Sequence, residues 1–532
     1  MSGSDYAYII VGSGVAGATI AKKLLEAQPD TPILMLEAGP QVPMKDRRYW
    51  WDYVLYGHKA YDPCEDCDEE SLNVGKTEWR SGNARTIMYG GSTVHWGGWC
   101  MRFKPEDFHL KTNTGQGCNW PYDYGTLEPY YCRADEYLSV CGDDNDSAAR
   151  GDPKSAQSRN NPWRSRPYPL PPYPWTESDG EMIKAFHELG IREGRMSLAR
   201  YRKCMATGTC KYCPLGARFS ASYVLDELLS EPKYANLKFV GMAPVTRLIA
   251  ESKRRINAVE YNDLNTGSTV TARADRIILC SGAYEVPKLL MLSGRPYWEN
   301  GIGNDHDLVG RFVVAHPFLS VKGTKDRNKE RWIQEFDFPT LVSRTYDTEK
   351  YQKDGKIFLM KSANLPNVNI AAHMIAGKTR PQIDDIVTGQ RQVMLSAYME
   401  QFGEYDNRFS PADGTTRFGL PRTKIKFTQS EDAKKRAWDR VSLMEQVITR
   451  MGYKVTPKDK NIGTQDGQHT SSTCRMGRDP TEGVVDADLK VFGTDNLYVC
   501  SNAVHPSCAA VNPTLTLVAV TLKLTDHLLA KP

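Results

Sequence analysis

The chain of 532 residues has no apolar run approaching the ~18 residues that would cross a bilayer, which argues against a helical membrane span within it. Nor is there a long block of like charge: 68 basic side chains face 64 acidic ones, for a net charge of +4. That balance argues against a dedicated nucleic-acid surface. The opening MSGSDYAYIIVGSGVAG lacks a basic start and lacks a small-residue cleavage site after its apolar run. Ala7 to Val11 therefore reads as a first strand, and no export signal is expected. A signal-free chain is compatible with either the cytoplasm or the periplasm. No repeat of solenoid period is visible. What remains is an ordinary globular composition, 40% hydrophobic and 25% charged, long enough for two domains or one large composite one.

The first forty residues read strand, glycine turn, helix, strand. AYIIV is β-branched and apolar, ATIAKKLLEA has helical spacing, and PILMLE is a second apolar run. Gly12, Gly14 and Gly17 fall between the first strand and the helix. The first glycine permits the tight turn, the second lets backbone approach a pyrophosphate, and the third lets helix and strand pack closely. A helix N-terminus there presents free N–H groups and a positive dipole end to the phosphate. Glu37 follows Gly12 by 25 residues, where a carboxylate accepts bonds from ribose hydroxyls and disfavours a 2′-phosphate. These residues predict a dinucleotide site without choosing the dinucleotide.

Further along, a helix is expected between Tyr122 and Leu138, and NPWRSRPYPLPPYPW (161–175) is an extended arm. A second α/β block starts near Cys213 and includes NLKFVG, RIILCSG and a helix from about Tyr284. The region 312–463 carries strand-like runs such as KIFLMKSA and TKIKFT. The last segment reads strand, loop, helix, a return to the first domain.

Four more segments complete a pattern that resembles the glucose–methanol–choline (GMC) family of FAD oxidoreductases. They are ARTIMYGGSTVHWGGW (84–99), RIILCSGAYEVPKLLMLSG (276–294), LVGRFVVAHP (308–317) and the C-terminal block containing NPTLT. The resemblance runs nearly end to end. Within the family it is most similar to bacterial sugar and polyol dehydrogenase large subunits of the fructose-dehydrogenase type, with features shared with pyranose oxidases. It implies an α/β fold: a Rossmann-like FAD-binding domain assembled from 1–150, 214–318 and 464–532, a sheet-based α+β substrate domain at 319–463, and a connecting arm at 151–213 that holds a cysteine cluster.

The resemblance also assigns residues. The loop Gly90, Gly91, Ser92, His95, Trp96 and Gly97 lies against the flavin, its paired glycines letting backbone meet a flat ring. His95 stands where pyranose oxidases carry a histidine bonded covalently to the flavin; a covalent link and simple packing both remain open for it. Val245 matches the position whose backbone meets the adenine, and Asn502 joins the cofactor site. His469 takes the role of base, since oxidising an alcohol requires removal of the hydroxyl proton as a hydride leaves. Asn512 sits where the family has histidine or asparagine and orients the substrate oxygen. Pro513 and Thr514 open a helix whose dipole favours negative charge on the reduced flavin. His505, in the same loop, either reaches the active site or is a surface loop residue, the second being favoured.

Thirteen cysteines are many for such a chain. Cys204, Cys210 and Cys213 form a C-x5-C-x2-C-P run in which three thiolates can converge on one iron–sulfur cluster. The resemblance points to a three-iron cluster (3Fe-4S), although the related subunits have three residues in the last gap where this chain has two. Zinc, or plain thiols, are the alternatives. Cys64 and Cys67 make an isolated C-x2-C better suited to a local disulfide or free thiols. The leading expectation is a dehydrogenase of a sugar, glycoside or polyol that passes electrons through the cluster to a cytochrome c, with a small subunit as a further partner. An oxidase using O₂, and a non-catalytic flavoprotein subunit, are the other readings.

Overall fold

A computed structural model of the chain describes residues 5–48, 52, 55–56, 70–82, 84–200, 216–326, 336, 338–362, 370–462 and 465–530. The cysteine run at 204–213 and the Cys64–Cys67 pair lie outside the described residues. Two sheets organise the molecule.

The first sheet begins with β1 (Tyr6–Val11), α1 (Val15–Ala27) and β2 (Ile33–Leu36), the strand–helix–strand unit read from the sequence. β1 and β2 pair in parallel, with Tyr8 opposite Ile33 and Val11 opposite Leu36. α1 forms because Val15, Ala18, Ala21 and Leu25 return to one face every three or four residues, and that face is buried. Strand Leu237–Val240 extends the sheet beyond β2, and Ser268–Leu279 pairs with β1 on the other side. The last strand has two characters along its length. Its first part alternates between buried and exposed residues where it pairs antiparallel with Ile256–Asp263. Its final Ile277, Ile278 and Leu279 are fully buried where β1 and the C-terminal strand Leu497–Val499 flank it in parallel. A strand covered on both faces carries a continuous apolar run, which is what RIIL provides. Helices Tyr124–Leu138 and Thr514–Ala530 pack on this side of the molecule, and the second also lies against α1.

The second sheet is antiparallel, in the order Lys460–Ile462, Phe318–Asp326, Gln390–Met399, Ile357–Ser362, Leu341–Ser343 and Gly194–Arg195. One face is covered by helices Glu431–Arg450 and Glu177–Glu188, through Val441, Met444, Ile448, Met182 and Phe186. The period of two along a strand then decides what the other face shows. Leu395, Ala397 and Met399 point to these helices, whereas Tyr398 belongs with the residues packed toward the first sheet. Among the described residues no helix is long and apolar enough to cross a membrane.

Candidate active site

A cavity of about 570 Å³ runs from the β1–α1 turn to the foot of the second sheet, within the size range of cofactor and ligand sites. At its first end Gly12 has φ +104, and a Cβ there would meet the carbonyl of Cys280 at 2.8 Å. Gly17 is as tightly held, since a Cβ would fall 2.1 Å from the Gly12 oxygen. Gly14 differs: a Cβ there would meet nothing within 4 Å among the described residues. That open space lies at the N-cap of α1, which has no side-chain cap of its own. Glu37 follows β2, buried, and its carboxylate accepts from Ser13 N (3.0 Å), Ser13 Oγ (2.7 Å) and Gly39 N (3.0 Å). It therefore braces the glycine turn while lining the cavity. Val245 opens the next wall at the head of strand Val245–Ala250.

The loop 90–97 forms the middle of the cavity. Gly90 and Gly91 have φ +90 and +55, and a Cβ on Gly91 would touch Gly14 Cα at 2.8 Å, so the two glycine segments abut. Ser92 Oγ accepts from Thr86 N at 3.1 Å, and Thr86 Oγ1 in turn lies 2.9 Å from His95 Nδ1. Trp96 is pinned by Nε1 donating to Phe219 O at 2.8 Å. Arg218 donates to the carbonyls of Trp96 and Val94. The loop is thus fixed by its own backbone and by neighbours, with His95 and Trp96 half-buried at the cavity wall.

At the far end His469 and Asn512 come together. Asn512 Nδ2 lies 3.0 Å from His469 Nε2, bringing together residues 43 positions apart in sequence. His469 is half-buried and opens onto the cavity. Burial, and then the neighbouring His316, hold its pKa well below the ordinary histidine value. The imidazole is therefore neutral and has a lone pair with which to accept a proton. Helix Thr514–Ala530 starts at the same wall, with Leu517 N bonded to Pro513 O at 2.9 Å.

Two residues here escaped the sequence reading. His316, fully buried, places Nδ1 2.9 Å from His469 Nδ1 and Nε2 3.1 Å from both the Cys508 and Ala509 carbonyls. It stands inside the segment LVGRFVVAHP, which by itself gives no sign of its contact with His469. Tyr398 sets its ring 4.7 Å from that of His469 and 6.1 Å from that of Trp99; strand alternation was its only signal. One expectation is overturned. His505 is no surface residue but is completely buried between Phe103 and Trp120, because its loop turns inward to carry Asn512.

The residues fit a flavin dinucleotide. Among the described residues no side chain fills the space beyond Gly14, and Ser281 Oγ and Asn502 Oδ1 are buried cavity-lining atoms without a protein partner. Buried polar atoms of this kind call for a bound acceptor or donor. No cluster of three or more His, Cys, Asp or Glu able to hold a metal occurs among the described residues, which do not include Cys204, Cys210 and Cys213.

Comparison with known proteins agrees with this geometry. The GMC oxidoreductase N-terminal model matches residues 170–318 and the C-terminal model 406–521, and a lycopene cyclase protein model matches 8–75, across the β1–α1–β2 unit. Among curated proteins, the fructose dehydrogenase large subunit of Gluconobacter japonicus is 24% identical, covering 98% of this chain and 97% of that one. The 6'''-hydroxyparomomycin C oxidase of Streptomyces lividus is 26% identical over 98% and 91%. Among solved structures, pyridoxine 4-oxidase from Mesorbium loti superposes with a TM-score of 0.66 at 18% identity, covering 99% and 100% of the two chains. Formate oxidase from Aspergillus oryzae follows at 0.65, also with 18% identity, covering 100% of this chain and 99% of that one. The chain belongs to the GMC oxidoreductases and is an FAD-dependent enzyme acting on CH–OH groups.

Proposed function

We propose that the enzyme is a dehydrogenase that oxidises a hydroxyl of a sugar, glycoside or polyol to a carbonyl. The observation that carries this reading is the His469–Asn512 pair, 3.0 Å apart, at the end of a cavity whose other end is the glycine turn. FAD, when bound, accepts the hydride that leaves the carbinol carbon. His469 takes the hydroxyl proton, and Asn512 orients the oxygen from which it comes. Tyr398 and Trp99 supply aromatic surface beside that point, suited to the C–H face of a sugar ring. Protonated His469 and the N-terminus of Thr514–Ala530 both favour negative charge at this end of the cavity.

The turn at Gly12, Gly14 and Gly17, with Glu37 and Val245, would hold the nucleotide part of the cofactor, and the 90–97 loop, Asn502, Pro513 and Thr514 would hold its ring system. Cys204, Cys210 and Cys213 would hold an iron–sulfur cluster, which would supply one-electron transfer to a cytochrome c or another acceptor, and a small subunit would join the complex. The cysteine spacing and the fructose dehydrogenase relative support that route. A second reading, an oxidase passing electrons to O₂, is favoured by the oxidases among the relatives. His95, held at Nδ1 by Thr86, is the residue for a covalent flavin bond in either case.

The test is the flavin and iron content of anaerobically purified protein, followed by turnover of D-fructose, D-glucose, gluconate and methyl glucosides with a quinone or with O₂. Iron together with quinone-linked turnover and little peroxide is the expected outcome. Iron-free protein that makes peroxide rapidly would replace this reading by the oxidase. Yellow colour retained in an acid precipitate identifies a covalent flavin; its release identifies a non-covalent one.

A further inference from the structure

The contacts of His316 determine where the hydrogens of the site lie, starting from one unambiguous end. Carbonyl oxygens only accept hydrogen bonds. His316 Nε2, 3.1 Å from two of them, must therefore carry a hydrogen. The ring is completely enclosed, and burial lowers its pKa to about 4, so it is neutral at physiological pH and its Nδ1 is a bare lone pair. The atom facing that lone pair at 2.9 Å is His469 Nδ1, which must be the donor. A neutral His469 protonated at Nδ1 has its lone pair on Nε2. The partner there is the Asn512 amide nitrogen at 3.0 Å, a donor, as the sequence of bonds requires. Two carbonyls thus set the hydrogen positions of three side chains.

We propose that His316 is a positioning residue: its acceptor nitrogen holds His469 in the tautomer that presents a bare Nε2 to the substrate hydroxyl, and Asn512 occupies that lone pair until the hydroxyl displaces it. In the opposite tautomer Nε2 carries a hydrogen and cannot take one, and a catalytic histidine held in the wrong tautomer loses most of its activity. The inference rests on His469 as the base, but the tautomer is read without turnover.

The experiment is proton–nitrogen correlation spectroscopy of the flavin-loaded enzyme with isotope-labelled histidine. The His469 ring is assigned by its disappearance in His469→Gln. Wild type is expected to show a protonated Nδ1 and a bare Nε2. His316→Gln keeps that state, since its amide can donate to the carbonyls and accept from His469. His316→Leu offers no acceptor and shifts His469 toward the Nε2–H form. A wild-type ring protonated at Nε2 overturns the proposal, as does a switched tautomer in His316→Gln or an unchanged one in His316→Leu. Should His316→Leu not fold, wild type and His316→Gln still decide it. Full turnover in His469→Gln would instead remove the base assignment and leave the tautomer result standing.

Discussion

His505 shows how much a single side chain's surroundings decide. Its ring lies 6.1 Å from that of Phe103 and 5.3 Å from that of Trp120, and neither ring nitrogen has a hydrogen-bond partner among the described residues. Burial alone lowers its pKa to about 3. The folded protein keeps it neutral, whereas the unfolded chain protonates it below about 6.5. Its stability contribution is therefore intact above pH 6.5 and falls progressively as pH drops toward 3. His505→Phe removes both unpaired nitrogens from an aromatic pocket. Relative to wild type it should gain up to ~1.4 kcal/mol for each pH unit of acidification between about 6.5 and 3. Urea unfolding of both proteins at pH 7.5 and pH 5 measures this, and a difference that does not change with pH would refute it. His469 gives the functional counterpart. His469→Ala should lose ~10²–10⁴ in turnover with flavin still bound, which reductive half-reaction rates and the flavin spectrum report together.

At the scale of elements, the three glycines of the β1–α1 turn do different work, and substitution separates them. An added methyl at Gly17 would sit 2.1 Å from the Gly12 oxygen and push α1 off β1. Gly17→Ala should cost ~1–3 kcal/mol or more, even without cofactor. At Gly14 the methyl meets only open space, and the backbone, with φ −65, suits alanine. Gly14→Ala should leave apoprotein melting almost unchanged and weaken FAD binding by ~10-fold or more, about 1.4 kcal/mol per factor of ten. Titration of apoprotein with FAD, beside its melting curve, tells the two apart. Elements of this sort were legible in the sequence because their signals are local. The strand, turn and helix follow one another, Glu37 sits at a set distance, and RIIL reads as a buried parallel strand. The placement of Tyr398 was not legible, since it depends on which face of strand Gln390–Met399 meets helix Glu431–Arg450. His316 escaped for a similar reason: it and His469 are 153 residues apart and meet only when both sheets are in place. His505 was misread because polarity predicts a surface loop only if nothing covers the loop.

The whole molecule is joined by charges that composition could not reveal. Lys356, at the head of a second-sheet strand, is fully buried and pairs with Asp107 and, at 3.1 Å, with Asp347. Arg344 pairs with Asp347 at 2.6 Å and donates to the Arg102 carbonyl at 3.0 Å. Arg102 in turn holds Asp135 and Glu128, both on helix Tyr124–Leu138, which packs on helix Thr514–Ala530. Ser507, in the loop that carries Asn512, donates to the Asp107 carbonyl at 3.2 Å and accepts from Trp120 at 3.0 Å. The network thus runs from the second sheet to helix Tyr124–Leu138 and supports the catalytic loop. Burial works against the charge on Lys356, but Asp107 and Asp347 together keep its pKa well above normal. Glu400, beside it, obtains too little of that charge, and burial raises its pKa to about 8. A network of this kind is weak evidence of net stabilisation, because desolvation offsets most of the attraction, but removing one member leaves buried charge uncompensated. Lys356→Met should therefore cost ~3–5 kcal/mol, while adding Asp107→Asn to it should recover most of the loss, because Asp347 keeps Arg344 as its partner. Urea midpoints of the single and double variants measure this, with flavin reduction as a second readout. Loss of reduction in the single variant but not in the double would place the damage in the unpaired charges. An equal loss in both would show that the network is needed as built, to hold the Ser507 loop against the second sheet.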